Sequence, residues 1–269
     1  MNLPSAIGLG LLQGATEFLP ISSSGHLVLA QILLGIDEAG LAFDVSLHLG
    51  TLLAILIYFR TDFLKMFAAL LSFRHPDAET RAMRSMAMLI CLATIPAVLA
   101  ALLFGKAVET FLRSPLVVAI TLIIGGILLL WAERYGRRLR DFQSIGLSDS
   151  LIIGAAQAFA LIPGLSRSGI TMTAGLFRGL NRQTAARFSF LMSAPVIFGA
   201  GVHEIPKIIK IGLEPAQMLF FLAGFLSAAL SGYLFIAVLI NYIKTRTFDI
   251  FAYYRFGLAG VILLAMAIT

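Results

Sequence analysis

The chain has 269 residues, of which 59% are hydrophobic and 13% charged, with a formal net charge of +6. Soluble domains carry about a quarter charged residues, and a soluble core of this size has no room for so much apolar surface; at a mean hydropathy of +0.94 the solvent for most of the chain is lipid. The basic excess is dispersed, so it reports membrane topology rather than nucleic-acid binding. The single cysteine, Cys91, excludes an internal disulfide and a cysteine metal cluster and reads as a small buried hydrophobe.

Taken in order, the N-terminus lacks the basic stretch of a cleavable leader and runs directly into region 3–35, two apolar pieces broken by Pro, Ser and Gly. Apolar stretches follow at 39–59, 87–104 and 115–132, then a basic loop at 133–146. A second broken region, 147–180, precedes stretches at 187–205, 215–242 and 250–268. The six unbroken stretches are long enough for helical spans, which need about 20 residues. They lack the alternation of a barrel. The piece from Ser24 to Gly35 would be about 18 Å long as a helix, too short for a core of about 30 Å. Both broken regions are therefore expected to be re-entrant: a half-helix in, a polar loop at mid-depth, a half-helix out.

The broken regions resemble each other. Gly10-Leu11-Leu12-Gln13 matches Gly154-Ala155-Ala156-Gln157, and Ser24-Gly25 matches Ser168-Gly169, both at an offset of 144, while Pro20 and Pro163 are offset by 143. The pattern predicts one integral membrane domain, 1–269, built from repeat 1 (about 1–132), the cytoplasmic loop 133–146 and repeat 2 (about 147–269). Each repeat holds one hairpin and three spans. Three is odd, so the second repeat is inverted, a plan that places ligand sites at the midplane. With the 60–86 loop on one side, fourteen basic residues fall there (Arg60, Lys65, Arg74, Arg81, Arg84, Arg134, Arg137, Arg138, Arg140, Arg178, Arg182, Arg187, Lys244, Arg246). Four fall opposite (Lys106, Arg113, Lys207, Lys210). The positive-inside rule makes the basic side cytoplasmic and puts both termini outside.

Two arginines escape the loops, Arg167 and Arg255. A lone arginine at mid-depth costs at least about 2.5–3.5 kcal/mol. The natural partner of Arg167 is Glu17 in the other buried loop, or an anion held between the loops. Ser22, Ser23, Ser24 and Gly25, and Ser166, Ser168 and Gly169, stand where the returning half-helices begin. Free N–H groups and the helix dipole there favour an oxyanion or phosphate, and so many hydroxyls exceed what N-capping needs. Ser23 and His26 are three apart and can share a helix face, a spacing suited to a nucleophile beside an acid or base. Glu17 adds a carboxylate able to orient the imidazole or hold a divalent cation. Charge neutralisation, a nucleophile and a proton donor are the parts phosphoryl transfer requires. His48, with Asp44 one turn earlier, reads as helix packing or a supporting role beside the site rather than a direct ligand. Arg255 reads as snorkelling to the interface, His203 and Glu204 as interfacial, His75 as solvated, and Trp131, Tyr253 and Tyr254 as an aromatic belt.

The stretch Gln13-Gly14-Ala15-Thr16-Glu17-Phe18-Leu19-Pro20-Ile21-Ser22-Ser23-Ser24-Gly25-His26 resembles the first signature of bacterial undecaprenyl-diphosphatases of the bacitracin-resistance type. Pro163-Gly164-Leu165-Ser166-Arg167-Ser168-Gly169 resembles the second, and the likeness continues through Phe43-Asp44-Val45, Leu49-Gly50-Thr51, Ile95-Pro96-Ala97 and Tyr254-Arg255-Phe256. It implies hydrolysis of undecaprenyl diphosphate to the monophosphate and phosphate, recycling the carrier for peptidoglycan and conferring bacitracin resistance. It implies a divalent cation, Mg2+ or Ca2+, and a site facing the periplasm from the bacterial inner membrane. Position by position it makes Glu17 the essential acid, Ser23 the nucleophile, His26 the acid/base and Arg167 the phosphate-binding arginine, with Glu17 and Gln13 toward the metal, and it raises for Arg255 a structural role bridging helices. Many members have a second glutamate where Gln13 stands, and an amide can bind metal or phosphate but cannot act as a base. Whether Ser23, His26 or water attacks phosphorus is left open, as is a homodimer. The rival reading is a flippase for an anionic polyprenyl lipid, which would need no Ser23–His26 pair. A phosphatidate-phosphatase-type enzyme is argued down because no histidine follows in 168–187.

Overall fold

Helix α1 (Leu3–Phe18) starts on Asn2, whose side chain accepts the Ser5 N–H at 2.9 Å. It stops where Pro20 forces Leu19 into an extended backbone, φ −68° and ψ 140°. The chain turns back as α2 (Ser23–Leu34), giving the first hairpin. Then come α3 (Gly40–Tyr58), α4 (Arg60–Leu71), α5 (Ala78–Phe111) and α6 (Pro115–Tyr135). The second hairpin is α7 (Leu147–Ala158), prolonged by a 3-10 turn at Phe159–Leu161, and α8 (Arg167–Phe177). It is followed by α9 (Arg182–Ile211), α10 (Pro215–Tyr242) and α11 (Asp249–Ile268). This computed structural model describes residues 2–34, 40–72, 77–112, 114–211 and 214–268. Gly35, Ala39, Arg74, His75, Pro76 and Arg113, and the side chains of Lys207 and Lys210, lie outside the described residues.

Among the described residues, α5, α6, α9, α10 and α11 each contain a stretch long and apolar enough to cross a membrane. The pair α3–α4, bent by 78°, makes a sixth. The molecule is thus a helical, multi-pass membrane protein, and every expected apolar stretch forms a helix. Pro96 lies inside α5 and Pro195 inside α9 without ending either helix. Cys91 corrects the sequence reading: it is exposed on α5 rather than buried. A helix facing lipid can leave a small apolar side chain on its outer surface at little cost.

The two hairpins pack on opposite partners. α1 lies against α10 and α3, α7 lies against α5, and α6 pairs with α11. Where α1 meets α10, a side chain at Gly10 would strike the Gly224 backbone. Where α7 meets α5, one at Gly154 would stand 2.5 Å from the Ala93 carbonyl oxygen. Close backbone approach through small residues is how helices associate in lipid. Gly154→Val is therefore expected to destabilise the protein by about 1–3 kcal/mol, read as a lowered thermal midpoint in detergent.

Charged residues gather at one end of the bundle. Buried Glu133 accepts from Arg138 at 2.5 Å and pairs with Arg182. Asp149, at the loop end of α7, accepts from Arg140 at 2.5 Å and Arg178 at 2.7 Å. Burial works against that charge, yet the hydrogen bonds from Arg140, the Gly146 N–H and Arg178 hold the carboxyl well below the usual carboxylate range. Arg187 pairs with Asp62 and lies over the Phe142 ring. The 133–146 loop is thereby tied to both halves of the chain. A core of Phe18, Phe59, Phe190, Leu191 and their neighbours fills the space between this charged end and the first hairpin tip. Phe18 and Phe190 meet edge-to-face at 5.3 Å.

Candidate functional site

The hairpin tips share one local construction. Ser22 (φ 75°) and Ser166 (φ 65°), 144 residues apart, both adopt left-handed backbone, at a cost of about 1–2 kcal/mol for a residue with a side chain. In exchange the Ser22 Oγ accepts the Gly25 N–H at 3.3 Å and the Ser166 Oγ accepts the Gly169 N–H at 3.1 Å. Each of these hydroxyls also contacts the serine two residues on: Ser22 with Ser24 at 3.3 Å, Ser166 with Ser168 at 3.1 Å. Gly164 (φ +91°) turns the second loop. Its Pro163 carbonyl accepts from Thr121 at 2.6 Å.

The tips meet. Ser168 Oγ donates to the Leu19 carbonyl at 3.1 Å. Arg167 Nη2 pairs with Glu17 Oε1, and its Nη1 reaches the Ser193 carbonyl at 3.5 Å. Glu17 Oε2 accepts from Ser23 Oγ at 2.6 Å and from Gln13 Nε2 at 3.0 Å. Gln13, Glu17, Ser23 and Arg167 thus form one network, with Ser22, Ser24, Gly25, Ser166, Ser168 and Gly169 at its two helix starts. The crevice beside it is lined by Glu17, Phe18, Arg167, Ser168, Ser189, Phe190 and Ser193, and is too narrow to admit a water molecule.

Three readings change. His26 does not pair with Ser23. Its Nδ1 is 2.7 Å from the Ser22 carbonyl and its Nε2 is 2.8 Å from the Tyr254 hydroxyl. Tyr254 is therefore more than an interfacial aromatic. Arg255 does not snorkel: fully buried, it donates from Nε to the Pro20 carbonyl at 2.6 Å and from Nη2 to the Leu165 carbonyl at 2.7 Å. It links both loops, whose carbonyls need donors that lipid cannot supply. His48 takes the supporting role rather than packing alone: its Nε2 stands 3.7 Å from Glu17 Oε2 while its Nδ1 meets the Asp44 carbonyl at 2.8 Å. Ser189, in contact with Thr171 at 2.6 Å, and Ser193 were not singled out from sequence. Two serines four apart on α9, above Arg187, were the available signal. His203 and Glu204 sit 3.8 Å apart, well along α9 from the site.

Among the described residues, no group of three His, Cys, Asp or Glu side chains is poised for a metal. Beside Glu17, which accepts from Gln13 Nε2, the buried Oε1 of Gln13 has no hydrogen-bond partner and is the oxygen there that a hard cation could take. Mg2+ needs only one or two protein carboxyl or carbonyl oxygens when substrate phosphate supplies others.

Fold and site together define a multi-pass helical membrane protein with a buried, charged centre where two half-helix hairpins meet. The family model described as Bacitracin resistance protein BacA matches residues 6–261, and the chain belongs to that family. Relatives named undecaprenyl-diphosphatase include one from Rubrobacter xylanophilus, 46% identical over 265 residues and covering 97% of each chain. Another, from Trichlorobacter lovleyi, is 45% identical over 268 residues, covering 99% of this chain and 97% of the relative. A third, from Gemmatimonas aurantiaca, is 44% identical over 268 residues, 99% of each chain.

Proposed function

We propose that this protein hydrolyses undecaprenyl diphosphate to undecaprenyl phosphate and inorganic phosphate, the reaction its relatives' names describe. The observation that carries this reading is the 2.6 Å hydrogen bond from Ser23 Oγ to a glutamate whose other oxygen is held by Arg167. A nucleophile, its base and an anion-binding cation meet at two helix N-termini. The terminal phosphate enters between the tips and takes over Arg167. Glu17, released from its ion pair, then becomes the better base for the Ser23 proton. Ser23 Oγ bonds to the terminal phosphorus as the bridging P–O bond breaks and its proton passes to Glu17, while undecaprenyl phosphate leaves with a proton from His26 in its imidazolium form. Water, losing a proton to the now neutral His26, then attacks the serine phosphate, and Ser23 leaves with the proton held by Glu17, releasing inorganic phosphate. The N–H groups of the α2 and α8 starts face the phosphoryl oxygens, on which charge is spread in the transition state. A divalent cation at Glu17 and Gln13 would neutralise diphosphate charge.

The same reading takes the chain as two inverted repeats, about 1–132 and 147–269, joined by the 133–146 loop. The matching turns at Ser22 and Ser166 support it. So does the exchange of partners, α1 on α10 and α7 on α5. The basic end is taken as cytoplasmic, following the charge bias, and the site as opening toward the periplasm of the bacterial inner membrane, as the family resemblance implies.

The test is phosphate release from a long-chain polyprenyl diphosphate by purified protein in detergent, with and without a chelator. Wild type is expected to release phosphate and to lose most of that activity with chelator, and Glu17→Ala to release none in either condition. Absence of release by the wild type under all conditions would overturn the reading.

A further inference from the structure

His26 is held at both nitrogens. A carbonyl oxygen only accepts, so the 2.7 Å contact with Ser22 places the proton on Nδ1. Nε2 of the neutral ring is then an acceptor, and the Tyr254 hydroxyl at 2.8 Å donates to it. The two rings also stack, with centroids 5.6 Å apart and planes 12° apart. Tyr254 comes from α11, 228 residues away, so the contact is tertiary rather than local. His26 is 8% exposed, while Tyr254 lies at the surface of the bundle.

Resting on the hydrolytic reading above, we infer that Tyr254 is a positioning residue for His26, acting through its hydroxyl. Flipping the imidazole would set a C–H against each partner and lose both hydrogen bonds. With Tyr254 in place the ring has one orientation and one tautomer. The hydroxyl suits either protonation state, donating to the neutral ring and accepting from the imidazolium. A group that gives up and regains a proton in each cycle needs such a partner, because a pure donor or acceptor would oppose one of its two states. The neighbouring Arg255 bonds the Pro20 and Leu165 carbonyls. Consecutive α11 residues therefore set His26 and both loops in one frame.

The test is a mutant cycle on phosphate release, with kcat and KM measured for wild type, Tyr254→Phe, His26→Ala and the double variant. Tyr254→Phe keeps the stacked ring and removes only the hydroxyl. It is expected to lower kcat roughly tenfold, the effect of about one hydrogen bond, with KM nearly unchanged. In the His26→Ala background the same change is expected to have no effect. Wild-type kcat in Tyr254→Phe, or an equal loss in both backgrounds, overturns the inference. A second measurement holds even where a variant is inactive: 15N NMR of the histidines in micelles should show His26 Nε2 with the shift of a hydrogen-bonded acceptor in wild type and with that of a free imidazole nitrogen in Tyr254→Phe, the Nδ1–H staying on Ser22 in both. An unchanged Nε2 shift in the variant overturns it too. Absence of phosphate release by the wild type would sink the hydrolytic reading instead, leaving the NMR result to decide on Tyr254.

Discussion

In Arg167→Ala, phosphate release is expected to fall by at least about a hundredfold, the loss typical of removing one preorganised charge donor from a buried transition state. The same change leaves Glu17, 6% exposed, without its cation. Breaking a buried pair from one side typically costs about 3–5 kcal/mol, so lost activity alone would not separate a missing phosphate ligand from a damaged fold. The double variant Glu17→Gln/Arg167→Ala makes the separation. It removes both charges and keeps an amide able to accept from Ser23 and Gln13. Its thermal midpoint in detergent is expected to lie well above that of Arg167→Ala, while its activity stays at background. Recovery of activity together with stability would show that Arg167 only neutralises Glu17. The crevice at the pair is too narrow to admit a water molecule, so phosphate must compete with Glu17 for the guanidinium. Inorganic phosphate is accordingly expected to inhibit the wild type and to bind more tightly to Glu17→Gln, as titration calorimetry would report.

Much of this was legible in the sequence, and the reason is physical. In lipid an unbroken helix satisfies its own backbone, so a break such as Leu19–Ser22 or Pro163–Ser166 requires other parts of the protein to supply the missing partners. Proline, glycine and serine at mid-depth therefore marked both hairpins, and the repeat offset paired them. Glu17 and Arg167 were readable for the same reason, since two isolated charges at that depth need each other. Side-chain direction was not readable. The three-residue spacing of Ser23 and His26 is compatible with a shared face. In the fold, however, Ser23 begins α2 with its hydroxyl turned back toward α1, while His26, one turn on, faces α11. That partner is 228 positions away, and no local pattern announces it. Arg255 misled in a similar way. Its position near a span end fits snorkelling, but the two loop carbonyls lie within its reach and have few other donors. For His48, packing and a supporting role could not be told apart, because nothing in its own helix shows that Glu17 lies opposite.

Ser23→Ala is expected to reduce phosphate release by about a thousandfold or more, as removal of a covalent nucleophile does in other hydrolases. The methyl group keeps the backbone of the α2 start and takes away one donor to Glu17, so stability should change by no more than about 1–2 kcal/mol. The size of the kinetic loss distinguishes the three candidate attackers. If water attacked with Glu17 as base, Ser23 would only position the carboxylate, and the alanine variant would retain a large part of the activity. If His26 attacked, its Nε2 would have to leave Tyr254, 2.8 Å away, and the intermediate would be a phosphohistidine. Ser23 needs no such rearrangement, because its proton already lies on the line to Glu17 Oε2 at 2.6 Å. Rapid quenching with a substrate labelled in the terminal phosphate is therefore expected to trap label on the wild-type protein. A phosphoserine survives acid and is lost in base, whereas a phosphohistidine behaves in the opposite way. Acid-stable label at Ser23, absent from Ser23→Ala, is the expected pattern. Base-stable label would move the nucleophile to His26 and leave Ser23 as a ligand of the phosphate.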